Sequence, residues 1–238
     1  MYHPVVGVIS RHSGQVDWSR LRASGVEGAV IKVLEGIGTV NANDPDPMYE
    51  SNLNSNLSLD EPLVWAPHHR IQMRESGPLE QAEAFWTRAR KIVTPTSPPR
   101  VDFEEQRGGY LPPDEGAQWL WVYVERLAEL CQVPVSIYTY DGAWDSNIGV
   151  VGHDWSDVQT VIAQYIRDED RNPIPAPTNP WEWERWLADK RQPDQPHGLP
   201  EWSGWQFNGD GNKLGPHFGM GAADCLLNVI KDEAWQDW

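Results

Sequence analysis

Short runs of β-branched and aliphatic residues recur along the chain, separated by stretches whose apolar residues follow helical spacing. This alternation constrains the fold more than any other feature, because strand–helix–strand order is the mark of a parallel sheet with helical crossovers. Strands are expected at Val5–Ile9, Ala29–Leu34, Leu63–Pro67, Val101–Glu104, Val133–Thr139, Val161–Tyr165 and Gly204–Phe207. A short edge element near Asp224 would close the set. Between the third and fourth strands, Leu79, Ala82, Phe85, Trp86, Ala89, Ile92 and Val93 share one helical face, with Ser76 placed to cap it. Between the fourth and fifth, Leu120, Tyr123, Leu127 and Leu130 repeat at helical spacing, and Asp114 and Glu115 suit the positive end of that helix. The last strands lack comparable helices between them. The pattern therefore points to an α/β barrel whose final part has less regular connections.

A chain of 238 residues fits one such barrel, and a single domain is expected. One segment interrupts the pattern. Asn172–Pro200 holds seven of the twenty prolines and the run WEWERW, and reads as a packed excursion at about 172–200. Within it Asn179 is a candidate cap, Pro180 a first helical residue, and Trp183, Trp186 and Leu187 one helical face. No run approaches the roughly 18 apolar residues of a membrane span. The opening MYHPVVGVISRHSG lacks a basic region followed by a long apolar one, so it does not read as a secretory signal.

Charge excludes one class of partner. With a formal charge of -16 the chain supplies no cluster of Lys and Arg for phosphates, so nucleic acid is not expected. Cys131 and Cys225 are far apart, have no metal-ligand spacing, and are expected to be buried thiols. Of fourteen tryptophans only Trp18, Trp65 and Trp86 precede residue 100. Indole faces stack on sugar rings, so this clustering suits a carbohydrate groove, with ordinary packing as the other reading of each Trp.

In VDFEE, Asp102 and Glu104 leave the same face of a strand, roughly 6 to 7 Å apart along the chain. Acids at the C-terminal end of a barrel strand are costly as packing elements and stand where barrel active sites are assembled. Two neighbouring carboxylates suit glycosidic cleavage, because charge on one keeps a proton on the other for the leaving oxygen. Alone, a D-x-E pair is equally a solvated strand end.

VDFE resembles the strand-four motif of glycoside hydrolase family 25, the Chalaropsis-type lysozymes, and other landmarks follow in order. GVISRHSGQVDW is similar to that family's opening strand and turn, AVIKVLEG to its second strand, and QAEAFW to the helix before the acidic strand. SIYTY, IAQY, SGWQFNGDG and AADCLLN resemble its closing strands. The resemblance implies an irregular TIM-like barrel of the (β/α)5(β)3 type and hydrolysis of the β-1,4 bond between N-acetylmuramic acid and N-acetylglucosamine. It implies Glu104 as general acid and base, with Asp102 orienting a 2-acetamido group that attacks the anomeric carbon. It also places Asp224, Tyr138, Tyr165, Trp205, Gln206 and His68 in the substrate groove; Glu35, at the end of strand two, faces either the site or water. No metal or cofactor is expected, and the partner would be bacterial peptidoglycan, met by a monomer. A lysozyme without a signal peptide fits a phage endolysin released through a membrane pore.

Three positions depart from the family. Val8 stands where an Asp is usual, Pro67 and His69 flank His68 in place of aromatic residues, and Phe207 replaces a frequent Tyr. Losing a negative charge at Val8 should let Glu104 ionise more easily, giving a more acidic optimum or a weaker enzyme. Two rival classes remain: a catalytically silent glycan-binding module, and a metal-dependent amidohydrolase barrel using His68 and His69.

Overall fold

The structure, a computed structural model, describes residues 4–37, 45–91, 97–148, 152–174, 176–179, 182–209, 212–222 and 224–235, with the backbone alone for Glu184. Eight strands form a closed barrel in chain order: β1 Val5–Ile9, β2 Gly28–Glu35, β3 Val64–Arg70, β4 Arg100–Asp102, β5 Ser136–Thr139, β6 Gln159–Ala163, β7 Gly204–Gln206 and β8 Leu226–Ile230. Neighbours from β1 to β7 run parallel, and β8 is antiparallel to both β7 and β1. A helix follows each of the first five strands: α1 Trp18–Ala23, α2 Tyr49–Leu57, α3 Pro78–Ala89, α4 Pro113–Cys131 and α5 Asp141–Asn147. After β6 the connections are irregular, with the short α6 Trp183–Ala188 before β7 and α7 Asp232–Trp235 after β8. The barrel is therefore the (β/α)5(β)3 type, and the element expected at an edge near Asp224 is instead the strand that seals it.

Boundaries moved where local chemistry differs from apolar spacing. β3 runs on to Arg70, past its expected end at Pro67, because His68 to Arg70 pair with Arg100 to Asp102. β4 stops at Asp102 and β6 at Ala163, leaving Glu104 and Tyr165 on the loops just beyond. Gly77, not Ser76, precedes α3, and Pro78 occupies its first turn, where a missing N–H costs nothing. Leu79 is exposed, while Ile92 and Val93 lie outside the described residues. Glu182 rather than Asn179 precedes α6, and Pro180 is outside the described residues. Cys225 is buried but Cys131 only half so.

Two apolar zones hold the barrel. Inside, Val6, Val30, Ala66 and Ile230 fill the lower half, closed from below by Ala234 and Trp235. Space there is tight: a Cβ at Gly204 would meet Ile230 Cδ1 at 2.8 Å and Val161 Cγ2 at 3.2 Å, so β7 needs glycine at this point. Outside, Phe85, Trp86, Val101, Leu120, Tyr123, Leu127 and Ile137 join the helices to the sheet. The Pro- and Trp-rich excursion packs against the barrel's flank. Trp183 and Leu187 are buried, Trp186 meets Phe207 edge-on, and Trp144 Nε1 donates to the His197 carbonyl at 2.9 Å.

His69, on the outer side of β3, shows how a polar group is accommodated in that outer core. Its Nε2 lies 2.8 Å from the Gly36 carbonyl, which only accepts, so the proton sits there and the Tyr123 hydroxyl donates to Nδ1 at 2.6 Å. Burial, against the hydrogen bond to Gly36, pushes the imidazole down to about 3, so it is neutral. Tyr123→Phe should leave Nδ1 buried without a donor and lower stability by about 1–3 kcal/mol. A urea melt would register this as a lower midpoint with unchanged slope; an unchanged midpoint would contradict the assigned bond.

Candidate active site

Strand alternation makes the upper half of the barrel polar. Lys32, His68, Arg100, Asp102, Tyr138 and Gln206 point inward from β2 to β7 and line a cleft of about 730 Å³ at the C-terminal mouth. The end of β2 adds Glu35, and loops add Arg11, Glu104, Arg107, Tyr165 and Asp224. Beyond Glu104 a smaller cleft continues, lined by Arg70, Glu105, Tyr140, Asp141 and Tyr165. Glu104 and Arg70 border both, so the acid stands within a continuous groove rather than at its end.

The loop carrying Glu104 is fixed from both sides. Gln106 accepts from the Met73 N–H at 2.9 Å and donates to the Glu104 carbonyl at 3.0 Å. The Arg107 N–H donates to Gln72 Oε1 at 2.6 Å, and Thr139 Oγ1 donates to the Phe103 carbonyl at 2.8 Å. Below, Phe103 packs edge-on against Trp144. Such bracing holds the Glu104 loop in one place.

Burial sets the protonation of the pair. Glu104 is pushed up to about 8 by desolvation and then by the Asp102 charge, against the pull of Arg70 and a hydrogen bond with Tyr138. Asp102, fully buried, is pushed up to about 6 by desolvation, while Arg70 and Lys32 restrain it. Between these values Glu104 keeps its proton and Asp102 does not. With Val8 in place of a carboxylate, burial still holds Glu104 protonated through neutral pH.

His68 lies 3.1 Å from Asp102 Oδ2 through Nε2. Burial, reinforced by Arg100, Lys32 and Arg70, lowers its pKa well below the usual value, so this is a hydrogen bond from a neutral ring rather than an ion pair. Asp102 Oδ1 has no hydrogen-bond partner among the described residues. Because His68 faces inward and His69 outward, the two rings do not converge on a common metal position.

The remaining expected residues divide. Tyr138, Tyr165 and Gln206 line the same cleft as the acid, and Gln206 Nε2 donates to the Tyr165 hydroxyl at 3.1 Å. Asp224 lines the far wall, its Oδ1 accepting the Lys213 N–H at 2.9 Å. Glu35 also reaches the cleft but is held: Lys32 at 2.6 Å and Arg107 at 2.6 Å bind it, and together with Arg70 they keep its carboxyl low despite burial. Trp205 does not belong to the groove. Its neighbour Gln206 points in, so Trp205 points out, 1% exposed, with Nε1 donating to the Gln164 carbonyl at 2.8 Å. No tryptophan lines either cleft among the described residues; Trp18, Trp65, Trp119, Trp144, Trp155 and Trp183 are core.

Sequence reasoning missed Lys32, Arg70, Arg100 and Arg107. Arg70 stands two residues after His68, and that shared strand parity was the available signal. Arg107 lies in a loop before a Gly-Gly turn, where spacing carries no direction.

A braced carboxyl pair of unequal acidity at the mouth of a (β/α) barrel suits glycosidic cleavage. The sequence matches the model of Glycosyl hydrolases family 25 over residues 9–216, and the chain belongs to that family. Solved structures agree in fold. A bacterial lysozyme from Streptomyces coelicolor aligns with a TM-score of 0.74 at 18% identity, covering 100% of this chain and 96% of the other. A family 25 glycosyl hydrolase from Bacillus anthracis gives 0.72 at 18%, covering 100% and 94%. The catalytic domain of endolysin ply40 from bacteriophage P40 of Listeria monocytogenes gives 0.64 at 17%, covering 99% and 96%. No curated protein matches the sequence.

Tyr165 packs its ring over Gly209, where an added Cβ would overlap it. Gly209→Ala should displace the ring from Gln206 and raise KM about tenfold with little loss of stability. Unchanged kinetics in this variant would remove Tyr165 from the groove.

Proposed function

We propose that this chain is a muramidase that hydrolyses peptidoglycan at the β-1,4 bond between N-acetylmuramic acid and N-acetylglucosamine. The observation that carries the reading is Glu104, buried beside Asp102 where two clefts meet and protonated up to about 8. Glu104 donates its proton to the leaving glycosidic oxygen. The carbonyl oxygen of the substrate's 2-acetamido group attacks the anomeric carbon, and Asp102 Oδ1, the acceptor that His68 leaves open, takes the acetamido N–H. Glu104, now a carboxylate, removes a proton from the water that opens the cyclic intermediate.

Membership of family 25 supports the glycosidic chemistry, and the Streptomyces lysozyme and Listeria phage endolysin share the fold. We further propose that the enzyme works as a monomeric endolysin on the wall of a phage host, its net charge of -16 arguing against nucleic acid as a partner.

Purified peptidoglycan digested by wild type should yield new muramic-acid reducing ends by mass spectrometry, whereas Glu104→Gln should lower the rate by about 10²–10⁴-fold. New ends from neither protein would leave a glycan-binding module. Activity should also follow a bell in pH. Glu104 must be protonated, so the rate falls as pH rises through about 8. Asp102 must be ionised, so it falls as pH drops through about 6. A profile still rising below pH 5 would contradict these roles.

A further inference from the structure

Arg70 is a cleft residue to which this chemistry assigns no contact with the substrate. It ends β3 and borders both clefts, close enough to Asp102 and Glu104 for each to act on its charge. Neighbouring cations are already held by buried carboxylates: Lys32 by Glu35 at 2.6 Å, and Arg107 by Glu35 at 2.6 Å and Glu75 at 2.8 Å. Arg70 instead reaches the carbonyl and carboxylate of Glu105, both at 3.4 Å, and the Glu105 side chain is 70% exposed. Its Nε is buried and has no hydrogen-bond partner among the described residues. A long, solvated pair contributes little, so Arg70 can exchange it at small cost for a carboxylate that meets its guanidinium squarely.

We propose that Arg70 is a specificity-determining residue that receives a carboxylate carried by the substrate where the two clefts join, so that the enzyme selects anionic over neutral glycans. This rests on the muramidase reading above. An anion arriving beside the Asp102 carboxylate would otherwise be repelled, and of the cations lining the main cleft Arg70 alone also borders the second. Two sources carry this chemistry: the lactyl carboxylate of a peptide-free muramyl residue, and the carboxylates of the peptide stem.

Two substrate pairs separate them. One is peptide-free alternating glycan with its lactyl groups free or methyl-esterified; the other is peptide-bearing glycan with stem carboxylates free or amidated. Wild type should cut the charged member of one pair with about tenfold higher kcat/KM, the size of one good charge-assisted hydrogen bond. Arg70→Gln should bring that ratio to about one, and Arg70→Lys should restore part of it. Any change in Glu104 acidity acts on both members of a pair and cancels in the ratio. The pair that responds identifies the source. No preference in either pair, or a preference that survives in Arg70→Gln, overturns the proposal. If Arg70→Gln does not fold, as judged by circular dichroism, a full preference retained by Arg70→Ala or Arg70→Met does the same. Wild type cutting none of the four substrates would instead overturn the muramidase reading itself.

Discussion

The interaction on which the site depends is the mutual burial of Asp102 and Glu104 under the influence of a few cations. Taking two carboxylates out of water together is costly, several kcal/mol for each ion even after relaxation. The barrel tolerates it because one member keeps its proton and Arg70 and Lys32 stand near the other. Remove the burial and both would ionise near their ordinary values; remove the cations and both would stay neutral. Either way the distinction between acid and carboxylate disappears, and with it the division of labour that glycosidic cleavage requires.

This requirement explains why the barrel changes character halfway up. Its lower interior is filled by small and branched apolar groups, with Gly204 marking how little room remains. From the next layer the inward positions become Lys32, His68, Arg100 and Asp102. Polar groups there cannot simply be solvated, so they are held in place by neighbours. Arg100 Nη1 meets Asn228 at 3.5 Å, Lys32 binds Glu35, and Arg107 bridges Glu35 and Glu75. Hydrogen bonds from Met73 to Gln106 and from Arg107 to Gln72 tie the loop after β3 to the loop after β4.

Strand positions were readable because β-branched runs flanked by turns carry direction and parity in the sequence itself. Asp102 with Glu104 followed from that parity, whereas Tyr138 and Gln206 were reached through the family resemblance. The same rule applied to the neighbour of Gln206 turns Trp205 outward, against the groove position that the family resemblance implied for it. The tryptophans bear this out generally, since a large apolar ring lowers the free energy more by filling the layer between helix and sheet than by waiting in solvent for a sugar. The protonation of Glu104 was not readable. It depends on how deeply the chain buries one side chain and which cations converge from β2, β3 and distant loops, and none of that is local in sequence.

Val8 takes on a different meaning in this setting. As an isolated substitution it removes a carboxylate from the mouth of the barrel, but the wall it belongs to also holds Arg70, Arg100 and Arg107, so the cleft is less acidic than the chain around it. With a net charge of -16, the surface repels an anionic polymer at a distance, yet salt screens that repulsion beyond about 8–10 Å. Inside a low-dielectric groove the balance reverses, because a cation a few ångströms from the ligand outweighs many screened charges farther off. A chain of this composition can therefore release a charged polymer readily along most of its surface while still gripping it at the point of cleavage.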